Sequence, residues 1–123
     1  MLINLSNHPS NNWMPEQYDE ALRQYSCIKD IGFPFIDPTV DEKDVSELAG
    51  EYYYEIIDLL IKYNSQNCAV HLMGELTFVY ILAKALRESN VEVVASTTMR
   101  DVYINDRGKK ISTFKFVRFR KYI

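Results

Sequence analysis

Short apolar runs, each closed by a small polar cluster, alternate along this chain with stretches of helical periodicity. Met1 to Leu5 ends in Ser6-Asn7-His8, Ala69 to Met73 in Gly74-Glu75-Leu76-Thr77, and Val91 to Ala95 in Ser96-Thr97-Thr98 followed by Arg100. Runs that short and that uniformly apolar suit strands covered on both faces, the usual condition of a parallel sheet. Parallel strands end along one edge, so the three polar clusters would collect there, where open α/β sheets bind ligands. The alternation constrains the fold and places a candidate site at the same time.

The intervening stretches read as helices. Pro15 suits a first helical turn, and Tyr18, Ala21, Leu22 and Tyr25 recur at helical spacing, giving a helix that ends near Tyr25. The strongest helix covers about 41 to 64, with Val45, Leu48, Ala49, Tyr52, Ile56, Leu59, Leu60 and Tyr63 on one stripe and Asp41, Glu42 and Asp44 near its start, where the dipole favours negative charge. Leu76 to Glu88 is helical through Val79, Leu82, Ala83 and Leu86, with Asn90 as its stop. Between the first two helices, Cys27 to Phe35 reads as a strand whose regularity is limited by Gly32 and Pro34, followed by an Asp37-Pro38 turn. The polar Asn64-Ser65-Gln66-Asn67 precedes the Ala69 to Met73 strand. Beyond Arg100, Val102 to Ile104 and Ile111 to Phe119 flank Asn105-Asp106-Arg107-Gly108, which can close a hairpin. The order βαβαβαββ implies an α/β sandwich with a mainly parallel central sheet, right-handed crossovers and a C-terminal antiparallel hairpin, in a single domain over residues 1–123.

The net charge of -3 is unevenly spread. Residues 1–99 hold 6 Lys/Arg against 15 Asp/Glu, whereas residues 100–123 hold 8 basic and 2 acidic side chains. That split fits an anion-binding face near the C-terminal strand or a partner with an acidic surface; the plainer reading lays the basic strand against the protein's own acidic helices. No apolar stretch reaches membrane-span length and the opening residues lack a secretory signal, so the expectation is a cytoplasmic protein without membrane association. Cys27 and Cys68 show no metal-binding spacing and read as buried small hydrophobes in a reducing compartment.

Each polar cluster has a chemical reading and a plainer one. Gly74 lets a ligand approach the backbone, the following helix start presents N–H groups, and Thr77 adds a hydroxyl, while Glu75 would suit ribose hydroxyls or a base amine; Gly and Thr are also ordinary turn and cap residues. Ser96, Thr97 and Thr98 can bind phosphate oxygens and Arg100 can contact phosphate or stabilise developing charge, or the three hydroxyl residues merely end a strand. Ser6, Asn7 and His8 form the third group, in which His8 can transfer protons or serve as a surface hydrogen-bonding residue. Trp13 packs on the first helix or stacks on a base. His71, between Val70 and Leu72, reads as a hydrogen-bonded core histidine rather than a metal ligand. GxGxxG and GxxxxGK[ST] motifs are not present, which disfavours an ordinary dinucleotide fold and a P-loop NTPase, and no GxSxG elbow supports a hydrolase.

Leu5-Ser6-Asn7-His8-Pro9, Met73-Gly74-Glu75-Leu76-Thr77, Ala95-Ser96-Thr97-Thr98 and the closing Phe114-Lys115-Phe116-Val117-Arg118-Phe119-Arg120 together resemble small stand-alone CRISPR-associated proteins of the Rossmann-like, CARF-related group. The resemblance implies a cyclic oligoadenylate ligand, the second messenger of type III CRISPR defence, and a ring nuclease that cuts it in a homodimer. It further implies a ligand site built from Ser6, Asn7, Gly74, Glu75, Thr77, Ser96, Thr97 and Thr98. On this reading His8 and Arg100 carry catalysis, with no metal and no cofactor. The alternatives are a non-catalytic nucleotide sensor or sponge, and an interaction module whose basic C-terminal strand binds RNA or an acidic protein.

Overall fold

A computed structural model describes residues 1–64 and 66–123. Ser65, within the polar stretch expected before the third strand, lies outside the described residues. The elements are β1 (Leu2–Ser6), α1 (Pro15–Tyr25), β2 (Ile28–Gly32), α2 (Glu42–Tyr63), β3 (Ala69–Met73), α3 (Leu76–Glu88), β4 (Val93–Ile104) and β5 (Lys110–Lys121), with a 3-10 turn at Ser10–Asn12. They build one five-stranded sheet in the order β2-β1-β3-β4-β5, parallel throughout except for the antiparallel β4–β5 pair. This is the α/β sandwich with a C-terminal hairpin, consistent with a Rossmann-like architecture.

Alternation along the strands sorts side chains onto two faces. Ile3, Leu5, Val70, Leu72 and Val93 turn toward α2 and α3 and join Ile56, Phe78, Leu82 and Leu86 in the larger core. Leu2, Ala69 and Val94 turn the other way and pack with Ala21 and Tyr25 of α1 and Phe119 of β5. Side-chain caps start the two longer helices: Asp41 accepts from the Asp44 N–H at 3.0 Å, and Glu75 from the Phe78 N–H at 2.8 Å. Helix α2 ends at Asn64, whose left-handed φ of 42° is one that Asn tolerates.

Three expectations need correction. The strand expected over Val91 to Ala95 runs unbroken from Val93 to Ile104, because every residue from Val94 onward pairs with β5, so Ser96 to Arg100 lie inside a strand rather than in a loop after it. Cys27 is exposed and Cys68 half-buried, so Cys27 is not the buried hydrophobe its composition suggested. The second strand is also shorter than Cys27 to Phe35: pairing to β1 stops at Gly32, two residues before Pro34. No described helix is long and apolar enough to cross a membrane.

Candidate functional site

The sheet splits at one place. β3 pairs with β4 only at Val70↔Val93 and His71↔Val94, after which β4 follows β5 away from β3. The groups freed by the split find other partners: the Tyr122 hydroxyl donates to the Leu72 carbonyl at 2.7 Å, and the Ser96 N–H donates to Met73 Sδ at 3.3 Å. A register shift between Thr97 and Thr98 adds a bulge at the same level, the usual device for bending a strand.

The split opens a cleft of about 550 Å³ beside the β1/β3 junction, where the strand order reverses and open α/β sheets bind ligands. Ser6, Asn7 and His8 line it from the end of β1, His71 and Met73 from β3, and Gly74 from the turn just after β3. Ser96 and Thr98 of β4 and Phe114 and Phe116 of β5 form the opposite wall, and Asn12, Trp13, Met14 and Gln17 close the rim by the start of α1. Among these described residues there is no Lys, Arg, Asp or Glu. A groove of about 670 Å³ along α3 is larger, but it lies on the flank of that helix and gathers none of the expected site residues.

A continuous chain of hydrogen bonds runs beneath the cleft. Asp30 on β2 accepts from the Ser10 hydroxyl at 2.6 Å, the Ser10 N–H at 3.0 Å and Asn4 Nδ2 at 2.7 Å. Burial works to raise the Asp30 pKa, but the bonds from Ser10 and Asn4 outweigh it and leave the carboxyl below its ordinary range. Asn4 Nδ2 also donates to the His8 carbonyl at 2.9 Å, and Asn4 Oδ1 lies 2.9 Å from both Ser6 Oγ and His71 Nδ1. His71 Nε2 in turn lies 3.2 Å from Ser96 Oγ, which reaches the cleft. The His71 ring is 2% exposed, with the rings of Trp13 and Phe119 set edge-on at 5.1 and 5.7 Å. Burial first, and then the charge of His8, push its pKa down to about 4.

The structure brings Ser6, Asn7, His8, Gly74, Ser96 and Thr98 into one cleft and leaves the other expected site residues outside its lining. Thr97 alternates to the opposite face, where its hydroxyl donates to the Arg118 carbonyl at 3.1 Å. Arg100 sits further out along β4, its Nε donating to Ser112 Oγ at 2.8 Å. The start of α3 is occupied by its own carboxylate: Thr77 Oγ1 and the Phe78 N–H both donate to Glu75. Bonds from the Phe78 N–H and Thr77 hydroxyl hold the Glu75 pKa low, so a charged carboxylate already fills the position expected for a ligand anion. The space beside Gly74 is also taken, since a Cβ there would lie 2.2 to 2.8 Å from atoms of the Phe33 ring. Gly74 therefore accommodates Phe33 on one side while its backbone borders the cleft on the other.

The polar chain from Asp30 through Asn4 to His71 escapes a reading of motifs because its members come from three strands. Asn4 and His71 did carry a signal: each is a polar residue at an inward position of an otherwise apolar strand. Trp13 packs against the cluster that holds Ala21 and Tyr25 of α1, one of its two expected roles, and it also donates Nε1–H to the His8 carbonyl at 2.9 Å while lining the cleft.

Fold and site together define an open α/β domain with a neutral, partly aromatic crevice at the strand-order reversal. A family model described as the "Uncharacterized protein MJ1673 family" matches residues 1–120, and the chain belongs to that family. No curated protein and no solved structure matches it.

Proposed function

We propose that the cleft binds cyclic oligoadenylate, in a cytoplasmic homodimer, and cuts the ring without a metal through attack of a ribose 2′-hydroxyl on the adjacent phosphate. The observation that carries this reading is the meeting of hydroxyl and amide groups (Ser6, Asn7, Ser96, Thr98) with aromatic rings (Trp13, Phe114, Phe116) in one crevice. Bases stack on aromatic faces while hydroxyls, amides and backbone groups hold ribose and phosphate. The CARF-related resemblance supplies the particular ligand. His8 at the rim is the proton-transfer candidate. Arg100 shares the β4 face of Ser96 and Thr98 but stands beyond them, and on this reading it would meet the part of a large ring that overhangs the crevice. The homodimer reading draws on the exposed apolar side chains of the β4–β5 ribbon outside the cleft, among them Met99, Tyr103 and Ile104, which a second copy would cover.

A second reading, binding without cleavage, is favoured by the position of Arg100: its guanidinium is engaged by Ser112 and lies outside the cleft lining. Incubation of the purified protein with cyclic tetra- and hexa-adenylate in excess EDTA separates these readings. Linear products ending in a 2′,3′-cyclic phosphate are expected for the ring nuclease. Tight binding with the ring intact supports the sponge, and no binding of either ring refutes the nucleotide reading.

A further inference from the structure

We propose that Ser96 Oγ is presented to the cleft as a hydrogen-bond acceptor, so that the cleft selects an adenine through its 6-amino group. This rests on the nucleotide reading of the cleft and adds the contact that decides which base enters.

The donor protons along the chain under the cleft are each committed to one acceptor. Asn4 Nδ2 faces the Asp30 carboxylate at 2.7 Å and the His8 carbonyl at 2.9 Å, both of them acceptors. A flipped amide would set an oxygen against two oxygens, so the orientation of Asn4 is fixed by its neighbours. Asn4 Oδ1 therefore faces His71, and His71 Nδ1 carries the proton donated to it at 2.9 Å. The imidazole is neutral near neutral pH, since burial pushes its pKa to about 4, which leaves Nε2 with a bare lone pair. Ser96 Oγ is 3.2 Å from that nitrogen and 3.1 Å from Met73 Sδ. A hydroxyl has one proton to give, and imidazole nitrogen is a far stronger acceptor than a thioether. The proton is committed to His71, and the outward side of Ser96 Oγ offers lone pairs alone.

Each bond in this sequence points its proton toward Asp30, and the unfilled end is an acceptor on the cleft wall. Phe116, which also lines the cleft, is the β5 residue paired with Thr98, beside Ser96. A base lying against this wall would present its edge to Ser96. Adenine offers an exocyclic amine there, and an analogue lacking it leaves the half-buried Ser96 Oγ without that donor.

Two measurements test the proposal. The first is the His71 tautomer in the ligand-free protein, read from the ¹⁵N shifts of the two ring nitrogens at pH 7. The expected result is Nδ1–H with a bare Nε2; the opposite tautomer overturns the proposal whatever the ligand. The second compares binding of cyclic tetra-adenylate with the same ring built on unsubstituted purine, in the native protein and in Ser96→Ala, whose fold is verified by its thermal melt. The native protein is expected to bind the adenylate ring at least tenfold more tightly, and Ser96→Ala to bind the two alike. Equal binding by the native protein overturns the amine contact while leaving the nucleotide reading intact. A preference retained in Ser96→Ala also overturns it, and failure of both rings to bind refutes the nucleotide reading and the proposal together.

Discussion

Acidification from pH 7 to pH 5 should destabilise this protein through His71 before its carboxylates contribute appreciably. The ring is held neutral inside the fold with a pKa of about 4, against an ordinary value of 6.5 in the unfolded chain. Because the folded value is the lower one, the unfolded state binds the proton first. The contribution is complete above about pH 6.5 and is lost as the pH falls from 6.5 toward 4. With those two values, the linkage relation gives a loss of about 2 kcal/mol between pH 7 and pH 5. That is a large share of the 5 to 15 kcal/mol by which domains are ordinarily stable.

Urea unfolding followed by far-ultraviolet circular dichroism at the two pH values measures the loss, and His71→Asn isolates its source. The Asn side chain keeps an N–H donor near Nδ1 and so preserves the bond to Asn4, but it has no proton to take up. It will be less stable at pH 7, having lost the ring contacts with Trp13 and Phe119, yet its stability should change by well under 1 kcal/mol over the same interval. The carboxyls whose pKa the fold lowers, Glu20, Asp30, Asp37 and Glu75, titrate below this window. Equal losses in the native protein and the variant would refute the assignment.

Two further outcomes test the wall of the cleft and the chain beneath it. Gly74→Ala should cost about 1 to 2 kcal/mol, because its Cβ displaces the Phe33 ring from its edge contact with Phe78, and the cost should shrink when Phe33 is also replaced by Ala; a change within 0.5 kcal/mol in denaturant titration removes that account. Asp30→Ala should cost about 2 to 3 kcal/mol by leaving Ser10 and Asn4 donors without their acceptor, with hydrogen exchange accelerating at the Ser10 amide; unchanged exchange there contradicts the role given to the carboxylate.

The helices and the central strands were legible because their signals are local. Ala69–Met73 is a strand with its expected bounds, and the Leu76–Glu88 helix likewise, since a short apolar run and a 3.6-residue stripe are properties of the segment itself. The length of β4 was not legible. Ser96 to Arg100 carries the polar residues of a loop, and it is extended only because β5 pairs with each of its residues. The same distinction governs the cleft. Clusters at strand ends were visible as sequence, but the separation of Thr97 from Thr98 by face and the removal of Arg100 along the ribbon depend on that extended backbone. The use of the α3 start by Glu75 was visible in principle: a carboxylate immediately before a helix, with a hydroxyl two residues on, is a capping arrangement as well as a binding one.

The polar chain itself argues that this face of the sheet is kept for something other than stability. Asn4 and His71 sit at 1% and 2% exposure on adjacent strands, in register with one another, where Leu2, Ala69 and Val94 show what the same face carries beneath α1. A buried polar pair contributes little net stability when satisfied and costs much when half is removed, whereas replacing both partners with apolar groups is close to neutral. Asn4→Leu alone leaves His71 Nδ1–H without an acceptor, and His71→Leu alone leaves Asn4 Oδ1 with Ser6 as its remaining donor. Each single change should therefore cost about 1 to 3 kcal/mol, and the double change less than the sum by at least 1 kcal/mol. If the two costs simply add in urea unfolding, the pair is not coupled and the inference of a single polarised chain fails. If the double variant retains most of the stability while losing the cleft's ligand binding, the polar residues are held in the core at the expense of an available apolar alternative, and the reason for them lies in what Ser96 presents at the end of the chain.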